Sequence, residues 1–234
     1  MRRLLSAMVC DVRLQFRNGF YYAVAFVLAC WVILLSQLPP LDWAWLLPVV
    51  ILGNVAMSAF YFIGGLVLLE RAEGSIQALV VTPLRRWEYL ASKVITLSIL
   101  GLVENLILVV IARGMRFQAG FLIAGVVFSS LLFALVGFLV VARYESINQY
   151  LLPSVLYVTL LSLPYLHYFG IWDHPLMYAH PLLPSLLLMK GAFSPMSRGE
   201  LAYCLLYSAV WVGVTFVAGR RSFQRFLVVG ERGS

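Results

Sequence analysis

Six long runs of this chain are almost wholly apolar, and most charged residues fall in the short stretches between them. The runs extend roughly from Phe20 to Leu38, Trp45 to Leu69, Tyr89 to Ala112, Phe117 to Val141, Tyr150 to Phe169 and Leu201 to Gly219. A bilayer core needs about 20 mostly apolar residues of α-helix, so each run is long enough to cross once. The pattern predicts an all-α membrane protein with six transmembrane helices and both termini on one side. Ahead of the first run, Leu4, Leu5, Met8, Val9, Val12 and Phe16 recur at helical spacing, while Arg2, Arg3, Ser6, Arg13 and Arg17 fall largely elsewhere. Residues 1–19 therefore read as an amphipathic helix lying in the membrane surface; the plainer alternative is a frayed end whose charges only set topology. The fourth run carries Gly120, Ala124, Gly125, Ser129, Ser130 and Ala134, mostly four apart. Small residues at that spacing let helix backbones approach closely in lipid, which predicts a packed interior helix. No internal repeat or low-complexity linker divides the chain, so residues 1–234 are expected to form one membrane domain.

Composition strengthens this picture: 62% of residues are hydrophobic, 12% are charged, and the mean hydropathy is +0.93. Those values exclude an ordinary soluble domain. The net charge of +7 marks topology and anionic-lipid contacts, with no nucleic acid expected. Thirteen of the 17 basic residues, with Lys93 counted in the loop after the second run, lie in the amino-terminal segment, the loops after the second and fourth runs, and the tail; the others are Arg113, Arg116, Lys190 and Arg198. Basic flanks favour the cytoplasm, so both termini are expected there. Cys10, Cys30 and Cys204 are scattered, with neither disulfide nor zinc spacing. Asp11, Arg13 and Arg17 precede the first run and no small-residue cleavage site follows it, so no removed signal peptide is expected.

The loop after the second run, residues 70–88, is the best-punctuated stretch. Gly74 can end one helix, Ser75 can cap a short helix from Ile76, and Thr82 with Pro83 can start the third span. On the short helix Ile76, Leu79 and Val80 share a face, with Glu70, Arg71 and Glu73 at its base. This small apolar knob suits a groove on a soluble partner, or it packs under its own bundle.

In order, Glu70, Glu73, Gly74, Ser75, Leu79, Thr82 and Pro83 resemble the first cytoplasmic loop of the type-2 ATP-binding-cassette (ABC) exporter permeases. The layout is similar as well: six spans, cytoplasmic ends, an amino-terminal interfacial helix, and an external segment (residues 170–200) containing "HPLLPSLLLMKGAF", like that family's re-entrant stretch before span six. Some relatives of this size are described as fluoroquinolone exporters. The resemblance implies a bacterial inner-membrane permease that exports a hydrophobic or amphipathic small molecule. Its loop is a coupling helix for two copies of a separate ABC ATPase, and it works with a second permease copy or a homologous permease. ATP and Mg would be bound by the ATPase, since neither lysine, Lys93 or Lys190, follows a glycine as a P-loop requires.

Inside the third span, Glu104 followed by Asn105 costs about 2.5–3.5 kcal/mol to insert. These two, with Asn54, are candidates for a substrate pathway; the alternative is a carboxyl hydrogen-bonded to Asn54, Ser98 or another span. His167, His174 and His180 surround Asp173, but two precede prolines and read as turn positions, with no metal expected. Trp43, Trp45, Tyr168, Trp172 and Tyr178 group near one boundary as an interfacial aromatic belt. An intramembrane serine protease would need G-x-S-x-G, which is missing, and a head-group transferase would need clustered aspartates, whereas Asp11, Asp42 and Asp173 are far apart. A transport subunit without enzymatic activity is expected, with a stand-alone secondary transporter as the rival reading.

Overall fold

The structure is a computed structural model that describes residues 2–37, 43–74 and 85–230. It is all-helical, with no strand among the described residues. Helix α1 covers Arg2–Arg17 and α2 covers Phe20–Gln37. A 3-10 turn at Trp43–Trp45 leads into α3, Leu47–Ala72. Then come α4, Arg86–Arg113; α5, Ala119–Val141; α6, Ile147–Leu161; and the short α7, Pro164–Tyr168. A second 3-10 turn at Pro175–Ala179 precedes α8, Leu183–Gly191, and α9, Arg198–Gly230.

Among the described residues, five helical stretches are long and apolar enough to cross a membrane: Leu47–Ala72, Trp87–Arg113, Ala119–Val141, Ile147–Tyr168 and Arg198–Arg221. They match the last five expected spans to within about three residues. The first expected span, in α2, counts toward a sixth jointly with α1, and the two axes meet at a bend of 62°. Gly19 makes that corner, with a left-handed φ of +80° that a side chain would resist.

Helix α5 lies at the centre and packs against α3, α4, α8 and α9. Its small residues allow this. A Cβ added at Gly125 would fall 2.8 Å from Met189 Cγ and 2.9 Å from the Ser185 carbonyl on α8. One added at Gly137 would fall 2.8 Å from the Phe60 carbonyl on α3. Gly120, the first member of the expected ridge, instead faces open space, because the helix has not yet entered the packed zone there.

Two irregular elements interrupt the spans. From Ala56 to Tyr61, α3 winds as a π-helix, and the Phe60 carbonyl there takes a hydrogen bond from the Tyr150 hydroxyl at 3.2 Å. Helix α8 has nine residues, about 14 Å at 1.5 Å per residue, too short to cross, yet all of them except Lys190 are buried. It is apolar and carries a proline in its first turn. The windows of Ile147–Tyr168 and Arg198–Arg221 are only 17% buried, against 72% for Leu47–Ala72, so α6 and α9 are peripheral.

Gly137→Ala is expected to lower stability by about 1–3 kcal/mol, the usual penalty of overpacking. Gly120→Ala should leave it unchanged or raise it by up to about 1 kcal/mol through helix propensity. Melting temperatures of the two purified variants check the contrast.

Candidate functional site

The stems of the loop at residues 70–88 are well defined. Helix α3 ends as expected at Gly74, which adopts φ +70° and donates its N–H to the Arg71 carbonyl at 3.1 Å. Helix α4 starts at Arg86, three residues later than Pro83 would start it. Arg85 is extended, and its N–H is taken by the Glu88 carboxylate at 2.7 Å, so the acid at the third helical position satisfies a free donor of the first turn. Ser75, Ile76, Leu79, Val80, Thr82 and Pro83 lie outside the described residues.

Beneath this loop is a cluster of buried charge. The Lys93 side chain is fully buried in the second turn of α4, and its ammonium donates to Asp11 of α1 at 2.7 Å and to Glu70 of α3 at 2.5 Å. The Tyr89 hydroxyl, one turn before Lys93, donates to the other oxygen of Glu70, and the Ser92 hydroxyl donates to the other oxygen of Asp11 at 2.6 Å. One turn further along both helices, the Gln15 amide donates to Thr96 Oγ1 at 2.9 Å. Helical spacing of four puts Tyr89 with Lys93 and Asp11 with Gln15 on single faces. Three segments far apart in sequence are therefore joined by one ammonium. An exposed pair, Arg17 with Glu73 at 2.7 Å, ties α1 to the end of α3 a second time. Arg71 reaches the other way and donates to the Tyr144 carbonyl in the loop before α6.

Of the expected loop residues, then, Glu70 is buried and ionically paired, Arg71 and Glu73 bridge to neighbouring segments, and Gly74 ends the helix. Lys93, counted above among topology-setting loop charges, is instead an interior residue; the basic bias stands without it. Asp11, Tyr89, Ser92 and Lys93 were not singled out from sequence. A signal was present nonetheless: an acid inside the bundle-facing stripe Leu4, Met8, Asp11, Gln15 and a lysine inside an apolar run are two charges that each require a partner.

Deeper in the bundle a second polar set surrounds the π-helix. Asn54 accepts a hydrogen bond from Trp31 Nε1 at 2.8 Å, and its backbone carbonyl accepts one from Ser58 at 3.0 Å. The Ser58 hydroxyl also meets the Glu104 carboxyl. Asn105 donates to the Gly101 carbonyl at 2.8 Å, and a Cβ at Gly101 would lie 3.1 Å from Ser58 Oγ and 3.4 Å from Ser130 Oγ. The structure thus brings Asn54, Glu104 and Asn105 into one neighbourhood. Within it Asn54 Nδ2, Glu104 Oε2, Asn105 Oδ1 and Ser130 Oγ are buried with no partner. Each such group costs about 1–3 kcal/mol.

Glu104 also stands at the wall of a cleft of about 650 Å³ in the angle between α1, α2 and α4. Val9, Val12 and Arg13 line it from α1, Val24 and Leu28 from α2, and Ile99 and Val103 from α4. Val9, Val12, Ile99 and Val103 are each about half exposed, so the cleft opens sideways out of the bundle.

At the far end of the bundle the histidines serve turns. The Nδ1 of His174 accepts from the Leu176 N–H at 3.1 Å, and the Nδ1 of His180 accepts from the Leu182 N–H at 3.2 Å while its Nε2 faces the Leu160 carbonyl. His167 lies 3.0 Å from Asp173. Among the described residues no three potential ligands converge on a metal position. Burial pushes the pKa of His180 down, partly offset by the Leu160 hydrogen bond.

Lys93→Met should lower stability by about 3–5 kcal/mol, because it leaves two carboxylates buried without their cation. Arg17→Ala, at an exposed pair, should cost at most about 1 kcal/mol. Unfolding of the two variants in one detergent compares them directly. For His180 the folded-state pKa is lower than that of the unfolded chain, about 6.5. Its contribution is therefore intact above that value and is lost as pH falls toward the folded pKa. Melting temperature should decline over that window, and less steeply in His180→Gln.

Residues 2–231 match the family model described as the fluoroquinolones export permease protein family. Two curated relatives from Mycobacterium tuberculosis, one from strain CDC 1551 / Oshkosh and one from strain ATCC 25618 / H37Rv, both carry the name fluoroquinolones export permease protein. This chain is 33% identical to each over 231 residues, covering 97% of this chain and 98% of the relative. A multi-pass helical bundle with this coverage and identity belongs to the fluoroquinolones export permease protein family.

Proposed function

We propose that this chain is the membrane-spanning subunit of an ATP-driven exporter of amphipathic, drug-like molecules of the fluoroquinolone class, energised by two copies of a separate ABC ATPase. The substrate class follows from the names of the relatives, and the bound ATP and Mg belong to the ATPase. The observation that carries the coupling reading is the Lys93 cluster. Glu70 lies in the last turn of α3, Lys93 about two turns into α4, and Asp11 in α1, so the two stems of the loop and the amino-terminal helix form one mechanical unit. A displacement of the loop would reach three segments together, as a rigid-body switch between inward- and outward-facing states requires.

In this reading Ile76, Leu79 and Val80 dock on the ATPase between Ser75 and Thr82-Pro83. Glu70, Arg71, Glu73 and Gly74 form the base that receives the push. Helix α1, residues 1–19, lies along the cytoplasmic face of the bacterial inner membrane, both termini are cytoplasmic, and α8 within residues 170–200 is the re-entrant segment on the outer side. The whole of 1–234 acts as one permease domain. The sparsely buried faces of α6 and α9 offer area for a second permease copy and for lipid.

The test pairs loop variants with a stabilised cluster variant. Leu79→Asp and Ile76→Asp should insert normally but lose ATPase co-purification and drug efflux, since a charge would be forced into the docking groove. Asp11→Leu, Glu70→Leu and Lys93→Met combined should regain stability relative to Lys93→Met alone, because an apolar substitute removes the desolvation penalty of all three charges. Efflux should stay impaired in that triple variant. Normal efflux by the loop variants, or ion-gradient-driven transport by the chain alone in liposomes, overturns the reading in favour of a secondary transporter.

A further inference from the structure

The cleft between α1, α2 and α4 has a composition that apolar packing alone does not require. Its walls are mostly aliphatic, yet the buried Glu104 of α4 and the exposed Arg13 of α1 both line it. Glu104 is 3% exposed, and one of its carboxyl oxygens has no partner. Lipid tails would satisfy the walls but offer nothing to a carboxyl residue set among them.

Size and length narrow the occupant. The volume of about 650 Å³ lies within the range of small-molecule sites, roughly 300–1,000 Å³. The lining on α4 runs from Thr96 to Ile107, and eleven residues of helix rise about 16 Å. That leaves room for a fused bicyclic ring with a substituent at each end. The opening faces sideways, so a membrane-dissolved molecule can enter without passing through the bundle.

We propose that this cleft is the entry site for a zwitterionic aromatic amphiphile, whose basic nitrogen is held by Glu104 and whose acidic group is held by Arg13. The assignment rests on the exporter reading for its cargo class but adds where the cargo first binds and which charges select it. The aliphatic walls supply affinity for any flat apolar molecule of this size; the two charged ends supply orientation and choice. Because α1 forms one wall and is also held by Lys93 through Asp11, a displacement of the loop would alter the width of the cleft.

Binding of three probes to the purified full chain in nanodiscs, followed by fluorescence anisotropy, tests this. Norfloxacin has both charges, its N-acetyl derivative lacks the cation, and its ethyl ester lacks the anion. The wild-type chain should bind norfloxacin most tightly. Glu104→Gln should weaken norfloxacin and the ester by about tenfold or more, as loss of a charge-assisted hydrogen bond implies, without weakening the N-acetyl derivative. Arg13→Gln should weaken norfloxacin but not the ester. Val103→Trp, at a half-exposed wall position, should block all three. Equal binding of the three probes by the wild type, or an unchanged order in Glu104→Gln, overturns the site; so does a co-purified phospholipid that no probe displaces. If efflux is ATP-dependent but binding ignores both charges, the cleft assignment falls and the exporter reading stands. If binding depends on both charges but no ATPase drives efflux, the reverse holds.

Discussion

A lysine ammonium buried inside an apolar bundle must be paired, and here that requirement organises one whole end of the molecule. Lys93 has no water to turn to, so Asp11 and Glu70 must come to it. Meeting that demand fixes the rotation of α1 about its axis, the height of α3 against α4, and the distance across the neck of the loop. Tyr89 and Ser92 then hold the carboxylates in place by taking up the remaining acceptor oxygens. Polar residues far apart in sequence do what apolar packing in lipid does poorly, which is to choose one register among several of similar energy.

The polar set around the π-helix follows a different logic. In the Lys93 cluster nearly every donor and acceptor is satisfied, whereas Asn54, Glu104, Asn105 and Ser130 each keep a buried atom without a partner. A π turn in the same neighbourhood adds an irregular backbone, of the kind often found at functional sites. One region is built to hold its shape. The other retains unmet hydrogen-bonding capacity next to a cleft.

Much of this was legible in the sequence, and the reasons are specific. Apolar run lengths report span lengths directly, so five helices came out within about three residues. Gly74 reported a helix end because a positive φ is what glycine permits, and Gly125 and Gly137 show why small residues mark the inner helix. The start of α4 was missed because Thr82-Pro83 resembles a helix start more than Arg85 with Glu88 does, although the latter pair makes the observed cap. The Lys93 cluster was missed because its members are up to 82 residues apart, and one-dimensional patterns carry no information about which buried charges meet. The π turn left no recognisable mark in Ala56–Tyr61.

The close backbone approaches of α5 carry a mechanical implication. With α8 against Gly125 and α3 against Gly137, a methyl group would not fit on either side, so these three elements slide past one another only with difficulty. They behave as one rigid body, to which the Lys93 cluster also fastens α1 and α4, so a push at the loop would be transmitted to that whole body instead of being spent in sliding between its helices.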